Sequence, residues 1–312
     1  MTHHIPPPIR RRVEGYRWVR SDGQPNWNQH IVEKLGEALL IASKPPITIL
    51  KDSNVLEAIG EIASNNVRGL PVVESNGRLY GVLTSSDLIN YLGGGSLFDI
   101  VSKKFKFNIY ESLEKVNIEA LVYKSPIFIE DTAKIDEALK IMVEHGVGFL
   151  PVTDQENNVN GVLTEHDLVK HLAGKTTGRT VAEVMSKTVV GINKEETLWK
   201  TMKLIVKYGF RRLLVFDRDK LAGFITAKGI ISFFGSHKAF DYVKTGDIRD
   251  VLNIPIAEIY TPYYSAAHPN EDIGEVAERM IKTGLSGLPV IEQESIVGVI
   301  TERDVLYGLL AR

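Results

Sequence analysis

The stretch Gly69-Leu70-Pro71-Val72, followed by Gly81-Val82-Leu83-Thr84, is the pattern that decides the fold of this chain. Related copies recur three times further along: Phe149-Leu150-Pro151-Val152 with Gly161-Val162-Leu163-Thr164, Arg212-Leu213-Leu214-Val215 with Gly223-Phe224-Ile225-Thr226, and Gly287-Leu288-Pro289-Val290 with Gly298-Val299-Ile300-Thr301. In every copy the Thr follows the Gly by three positions. Self-similarity of this kind is typical of repeat architectures, so four related units are predicted.

A stripe of apolar residues precedes each copy at a constant distance. In the first copy it begins at Val55, sixteen residues before Pro71, and continues at the helical spacings with Ala58, Ile59 and Ile62. This spacing predicts a helix with one buried face. Short β-rich runs follow at Leu70–Val73 and Tyr80–Leu83, and a second helix is expected near the Thr, as in Ser86–Leu92. Each unit is therefore predicted to be α/β, in the order strand, helix, strand, strand, helix.

A longer period groups the four units in twos. Phe98-Asp99 recurs as Phe240-Asp241, and Thr84 recurs as Thr226, both after 142 residues. Because a unit this short exposes an apolar face, it is expected to pack against its neighbour. The predicted divisions are an N-terminal extension (1–43), pair one (44–174, with repeats 44–93 and 124–174) and pair two (175–312, with repeats 187–235 and 262–312).

Composition narrows the function classes. The net charge of −2 argues against a nucleic-acid binder that works by bulk charge, and the lack of cysteine excludes disulfides and cysteine-based sites. No run is long enough to span a membrane, and no signal peptide is evident, so a cytoplasmic protein is expected. The chain lacks the P-loop, Rossmann and G-x-S-x-G motifs, and its histidines lack metal-ligand spacing. Neither catalysis nor a metal site is predicted.

The N-terminal extension is basic. Residues 10–20 contain five arginines (Arg10, Arg11, Arg12, Arg17 and Arg20) and a single acid, Glu14. One interpretation is an arm for nucleic acid or an acidic partner. The other is a solvated tail that packs its tryptophans on the body, and this interpretation is favoured because no recognition motif supports the first.

The repeats resemble cystathionine β-synthase (CBS) domains over about residues 44–312. That resemblance implies two tandem pairs in a disc-like arrangement and a role in sensing adenosine nucleotides. The pair Arg211-Arg212 resembles the basic pair in the γ regulatory subunit of AMP-activated protein kinase, which carries four such repeats and binds AMP, ADP or ATP. Related archaeal CBS proteins bind S-adenosylmethionine or methylthioadenosine, which need less positive charge.

An Asp follows the Thr by three positions in three repeats, at Asp87, Asp167 and Asp304, while Gly229 stands there in the third repeat. A Thr with an acid three residues later is first of all a capping box. The same arrangement suits a nucleotide. Backbone N–H groups at a helix start favour a phosphate, and a carboxylate accepts hydrogen bonds from both hydroxyls of a ribose. The two roles can coexist.

The resemblance also implies how the residues group, because one repeat supplies Thr-x-x-Asp and its partner supplies the residue three positions before the Pro anchor. Cleft one combines Asp304, Thr301 and Arg303 with Arg211 and Thr188; cleft two combines Asp167, Thr164 and His166 with Arg68 and Lys44; cleft three combines Asp87, Thr84 and Ser86 with Ser125 and Gly148; cleft four combines Thr226 and Lys228 with Ser286. Clefts one and two hold the most cations and are expected to bind best. Cleft four lacks the ribose anchor and is expected to be empty or weak.

These observations predict a non-catalytic sensor of AMP, ADP or ATP that regulates a separate protein. The alternatives are a sensor of an S-adenosylmethionine-type ligand, and a scaffold or nucleic-acid-binding protein that acts through Arg10–Arg12. Either a monomeric disc or a homodimer of discs is compatible with four repeats.

Overall fold

The computed structural model describes residues 36–310, and their architecture is mixed α/β. The first half contains α1 (Glu37–Ile41), β1 (Ile49–Leu50), α2 (Val55–Ser64), β2 (Gly69–Val73), β3 (Leu79–Thr84), α3 (Ser85–Ile89), α4 (Ile109–Lys115), β4 (Ile129–Glu130), α5 (Ile135–His145), β5 (Phe149–Thr153), β6 (Val159–Thr164) and α6 (Glu165–Leu172). The second half contains α7 (Val181–Val184), β7 (Gly191–Asn193), α8 (Leu198–Tyr208), β8 (Arg212–Asp217), β9 (Lys220–Thr226), α9 (Ala227–Gly235), α10 (Ile248–Leu252), β10 (Thr261–Pro262), α11 (Ile273–Thr283), β11 (Gly287–Glu292), β12 (Ser295–Thr301) and α12 (Glu302–Leu310). The predicted α/β fold of four repeats is confirmed, and the basic N-terminal arm lies outside the described residues.

The first helix of each repeat buries the predicted stripe. In α2 the buried residues are Val55, Ala58, Ile59 and Ile62. Helix α2 begins at Asn54, whose side chain accepts a hydrogen bond from the Glu57 backbone N–H, and such a cap satisfies one free donor of the first turn. Helices α5, α8 and α11 each end at a glycine with positive φ (Gly146, Gly209 and Gly284). Glycine adopts this conformation without strain, so the chain can turn directly into the next strand.

The sheets are small and follow one plan. In the first repeat β1 runs parallel to β2, and β2 runs antiparallel to β3 with Gly69 opposite Thr84. The second and third repeats repeat this pairing with β4-β5-β6 and β7-β8-β9. In the fourth repeat a single parallel bridge between Ala267 and Val290 takes the place of the leading strand. The hairpin therefore delivers each Thr to the start of the second helix.

The segment before one repeat lies on the last strand of its neighbour. Ser43, before the first repeat, bridges Val162 in β6 of the second. Ser186 bridges Val299 in β12 in the same way, so the third and fourth repeats are also joined. The exchange is reciprocal in the second pair, because β10 adds to the edge of β9. These crossings join the first repeat to the second and the third to the fourth.

Each of the two apolar cores contains helices from both pairs of repeats. Helices α2 and α3 of the first repeat pack on α9 of the third, whereas α6 of the second repeat packs on α11 and α12 of the fourth. At Gly235 in α9 a Cβ atom would collide with Ala63 of α2, so the two helices are in close contact. One core accordingly combines the first and third repeats, and the other combines the second and fourth. Within residues 36–310, no helix has both the length and the hydrophobicity of a membrane span.

Candidate functional site

Three repeats start their second helix with the same polar arrangement. In the first repeat the Asp87 Oδ2 atom accepts hydrogen bonds from the Thr84 backbone N–H (2.8 Å) and from Thr84 Oγ1 (2.6 Å). The same two distances recur in the pairs Thr164–Asp167 and Thr301–Asp304. In the third repeat Thr226 Oγ1 accepts from the Gly229 backbone N–H at 2.9 Å. The Thr and Asp side chains thus cap these helices.

In each repeat, the residue three positions before the anchor (Pro71, Pro151, Leu214 or Pro289) lies beside the start of the second helix of that repeat. Its carbonyl oxygen accepts a hydrogen bond from the backbone N–H of the first helical residue in all four repeats: Ser85 to Arg68, Glu165 to Gly148, Ala227 to Arg211, and Glu302 to Ser286. The same backbone hydrogen bond therefore fixes this residue against the helix start in every repeat.

Glu165, the first residue of α6, forms the centre of one polar cluster. Its carboxylate accepts from Arg211 Nη2 at 2.8 Å and from Arg303 Nε at 2.7 Å, and its side chain is 1% exposed. Burial raises the pKa of Glu165, but the two arginines outweigh burial and hold it below the ordinary value. The structure therefore brings together Arg303 and Arg211, which were predicted to share cleft one, and places a carboxylate between them.

Glu302, the first residue of α12, forms the second cluster. Arg68 Nη1 lies 2.6 Å from Glu302 Oε2, and His166 Nδ1 lies 2.6 Å from Oε1. Burial raises the pKa of Glu302, but the contacts with His166 and Arg68 dominate and lower the pKa to about 2. Arg68 and His166, predicted to share cleft two, are thus also held by a carboxylate.

Two other members of these clefts, Lys44 and Thr188, lie in the segments that lead into β1 and β7. Ser43 Oγ donates to Asp167 Oδ1 at 3.1 Å, and the neighbouring Lys44 lies beside Gly161 of β6. Thr188 follows Ser186, which pairs with Val299 in β12. Both segments therefore contact the last strand of the neighbouring repeat. The described contacts give neither Lys44 nor Thr188 a direct bond to the predicted site.

Clefts three and four open into one cavity of about 780 Å³. All four repeats line it, and the lining includes the members predicted for these two clefts: Thr84, Ser86, Asp87, Ser125, Gly148, Thr226, Lys228, Gly229 and Ser286. Arg68, Arg211, Arg212 and Arg303 also reach it, and so do the aromatic residues Tyr123, Phe149, Phe224 and Tyr264. Among the described residues that line the cavity, Asp87 is the one acidic side chain. The volume is in the range of sites for small molecules.

Two cations of this cavity have no carboxylate within ion-pair distance in the described part of the chain. Arg212 Nη2 donates to Ser286 Oγ at 2.9 Å. Burial, with a further contribution from Arg68 and Arg211, lowers the pKa of Arg212 to about 10. Burial and the charge of Arg68 also lower the pKa of Lys228. A cation that burial destabilises in this way is suited to an anionic ligand.

The CBS domain family matches residues 36–94, 118–174, 181–236 and 256–311. The chain belongs to the CBS-domain family. CBS-domain proteins are regulatory ligand sensors and are generally non-catalytic, although the domain also occurs as one part of larger enzymes.

Several known proteins are similar to this chain over most of its length. Protein MJ1225 of Methanocaldococcus jannaschii is 28% identical over 85% of this chain and 95% of its own length. Its crystal structure, of a protein proposed as an archaeal homolog of γ-AMPK, gives a TM-score of 0.80 over 86% of this chain and 98% of that one. A 33.4 kDa protein of the ribosomal RNA operon of Thermofilum pendens is 30% identical, over 85% of this chain and 88% of that protein. A conserved protein of Pyrococcus horikoshii shares the fold at 21% identity, with a TM-score of 0.54 over 86% of this chain and 97% of that one.

The sequence did not predict that Glu165 and Glu302 form ion pairs with the arginines of clefts one and two. The available signal was their position directly after Thr164 and Thr301, where the other two repeats have Ser85 and Ala227. An acid in the first turn of a helix is common because it suits the helix dipole, so the pattern did not distinguish a cap from an ion pair.

Proposed function

We propose that this CBS protein is a non-catalytic sensor of adenine nucleotides that regulates a separate protein. The observation that carries the proposal is the cavity itself. It combines a ribose-type acceptor, Asp87, with two cations, Arg212 and Lys228, that lack carboxylate partners among the described residues. A ligand that fits both features carries hydroxyl donors at one end and negative charge at the other, as a nucleotide does.

The nucleoside end is assigned to cleft three. Asp87 already uses Oδ2 as a helix cap, and its ionised carboxylate can accept hydrogen bonds from the two hydroxyls of a ribose. Leu121, Tyr123 and Ile127 also line the cavity and provide apolar surface for a base. Ser125 adds a polar group beside them.

The phosphate end is assigned to cleft four. Lys228 lies in the first turn of α9, where backbone N–H groups and the helix dipole also favour an anion. Arg212 offers a planar fork of donors that matches phosphate oxygens. Because both cations are partly buried, a phosphate that contacts them gains more than it would at a fully exposed surface.

This assignment changes the order of preference among the clefts. Clefts one and two were expected to bind best because of Arg211, Arg303 and Arg68, and these cations are engaged by Glu165 and Glu302. We therefore assign the nucleotide to clefts three and four. Cleft four, expected to be empty or weak because of Gly229, serves in this proposal as the phosphate end.

The regulatory step follows from the position of the cavity. A ligand that touches Asp87 in pair one and Lys228 in pair two joins the pairs, and it favours whichever arrangement places both residues within reach. An S-adenosylmethionine-type ligand lacks the phosphate that would satisfy Arg212. The scaffold alternative depends on Arg10–Arg12, which lie outside the described residues.

Isothermal titration calorimetry tests the proposal with AMP, ADP, ATP and S-adenosylmethionine. We expect nucleotide binding that Asp87→Ala weakens more than Asp304→Ala does; the two variants are matched because they remove the same helix cap. Binding of S-adenosylmethionine alone would support the other ligand class. No binding of any of the four, together with salt-sensitive binding of nucleic acid that requires Arg10–Arg12, would establish the scaffold instead.

A further inference from the structure

Among the described residues, the ion pairs of the buried Glu165 and Glu302 carboxylates cross from one pair of repeats to the other. Arg68 of the first repeat contacts Glu302 of the fourth, and Arg211 of the third contacts Glu165 of the second. Arg303 adds a second crossing contact to Glu165, and His166 adds one to Glu302. The arrangement is reciprocal, as expected of two halves that are related by duplication.

The residue types at two positions, beside the helix start and at the first helical residue, alternate along the four repeats. The first and third repeats have an arginine beside the helix start (Arg68, Arg211) and a small first helical residue (Ser85, Ala227). The second and fourth repeats have a small residue beside the helix start (Gly148, Ser286) and a glutamate as the first helical residue. At Gly148 any Cβ atom would collide with the Glu165 carboxylate, so the small residue makes room for the acid. Each glutamate thus has a complementary arginine across the boundary between pairs.

We propose that Glu165 and Glu302 are built-in anions that take the place of phosphate groups beside Arg211, Arg303 and Arg68, and so confine a phosphorylated ligand to Arg212 and Lys228. The inference rests on the proposed function for the identity of that ligand. It adds the reason why repeats two and four do not accept a phosphate at their helix starts. They already hold a negative group there, and it belongs to the chain.

A phosphate would have to compete with these two carboxylates for the arginines. A phosphate that takes over the hydrogen bonds of Arg211 Nη2 and Arg303 Nε has to displace a carboxylate that is 1% exposed and bonded to both. A displaced carboxylate would have to be buried without a partner or expelled to water with rearrangement of α6, and either outcome is unfavourable. Arg212 donates to a neutral hydroxyl instead, so a phosphate there displaces no charge.

The test replaces each glutamate by the residue that the other repeats carry. Glu165→Ala copies Ala227, and Glu302→Ser copies Ser85; Glu165→Gln and Glu302→Gln keep the volume and remove the charge alone. Calorimetry with inorganic pyrophosphate and with ATP measures affinity and stoichiometry. We expect pyrophosphate to bind about tenfold tighter in each variant, because a charge-assisted hydrogen bond is released for it.

Glu271→Gln provides the matched control. Glu271 pairs with Arg279 at 2.6 Å, and neither residue lines the cavity. We expect this variant to bind pyrophosphate as the wild type does. An equal gain in Glu271→Gln would show that the effect is a general change of charge, and it would overturn the inference.

The outcomes separate the inference from the proposed function. If ATP binds no protein but pyrophosphate binds more tightly in the glutamate variants, the proposed function fails and the inference stands. If ATP binds the wild type and the glutamate variants change neither affinity nor stoichiometry, the inference fails and the proposed function stands.

Variants that retain both glutamates provide a second test if the glutamate substitutions prevent folding. Asp87→Ala, Asp167→Ala and Asp304→Ala remove equivalent helix caps. The inference requires that ATP affinity fall in Asp87→Ala alone. A comparable fall in Asp167→Ala or Asp304→Ala would contradict it, because those clefts would then hold nucleotide despite the internal carboxylates.

Discussion

Arg68 Nη1 and Glu302 Oε2 lie 2.6 Å apart, although the two residues belong to the first and the fourth repeat. The Glu302 side chain is 2% exposed and that of Arg68 is 26% exposed. The ion pair therefore connects the two pairs of repeats in the interior of the protein. A buried pair of this kind makes little net contribution when intact, but the loss of one member leaves an unpaired charge.

Glu302→Gln is expected to destabilise the protein by about 2 kcal/mol, less than for a fully buried pair because Arg68 retains some contact with water. Urea denaturation followed by circular dichroism measures the change. Glu111→Gln is the comparison, since the exposed pair of Glu111 with Lys115 should contribute less than about 0.5 kcal/mol. Equal effects of the two substitutions would show that the Arg68–Glu302 pair is no more important than a surface contact.

The stability of the protein is expected to decrease in acid because of the same carboxylate. Burial raises the pKa of Glu302, but His166 and Arg68 lower it to about 2 in the folded protein. A pKa that is lower in the folded state means that the stabilisation is present above about pH 4.5 and is lost as the pH falls towards 2. The urea midpoint should decrease over this interval more steeply in the wild type than in Glu302→Gln. Parallel curves would assign the acid sensitivity to other carboxyl groups.

Arg212→Met is expected to stabilise the ligand-free protein and to weaken nucleotide binding. Arg212 donates to the neutral hydroxyl of Ser286, and burial lowers its pKa, so we expect its charge to be unfavourable in the folded state without an anion. We expect a gain of about 1 kcal/mol in unfolding free energy. The loss of ATP affinity should be about 10- to 100-fold, since a charged hydrogen bond contributes 1.5–3 kcal/mol. Thermal denaturation and calorimetry measure the two effects, and Arg218→Met, at an exposed position, should show neither.

Gly229→Asp is expected to give the third repeat the cap that the other three have. A Cβ atom at Gly229 would lie 3.0 Å from Thr226 Oγ1, so the side chain has room after a small shift of that hydroxyl. The new carboxylate should stabilise the start of α9 by about 1 kcal/mol. It should also add a ribose acceptor to cleft four and so raise the affinity for adenosine. Gly229→Ala is the control, because it gains helix propensity without a carboxylate; equal adenosine affinity in the two variants would show that the acid has no binding role.

The sequence was sufficient to predict features that depend on residues close together in the chain. The stripe of Val55 and Ile59 predicted a helix, and the spacing of Thr84 and Asp87 predicted its cap, because both depend on residues within two turns of each other. The contact of Glu165 with Arg303 could not be predicted in this way, because the two residues are 138 positions apart. The large sequence separation also explains why the expected order of the clefts differs from the proposed one. Counting cations favoured clefts one and two, whereas the folded chain supplies their counter-charges from other repeats.

The two shared cores have a consequence for the chain as a whole. Each core combines one repeat from each half, so a fragment that contains one half alone would expose to water the face that it normally shares. Two identical copies of such a half could cover those faces by associating about a two-fold axis. The present chain is equivalent to that dimer with its subunits fused. Fusion removes the requirement that the subunits be identical, and so allows Asp87 and Gly229 to differ at corresponding positions of one cavity.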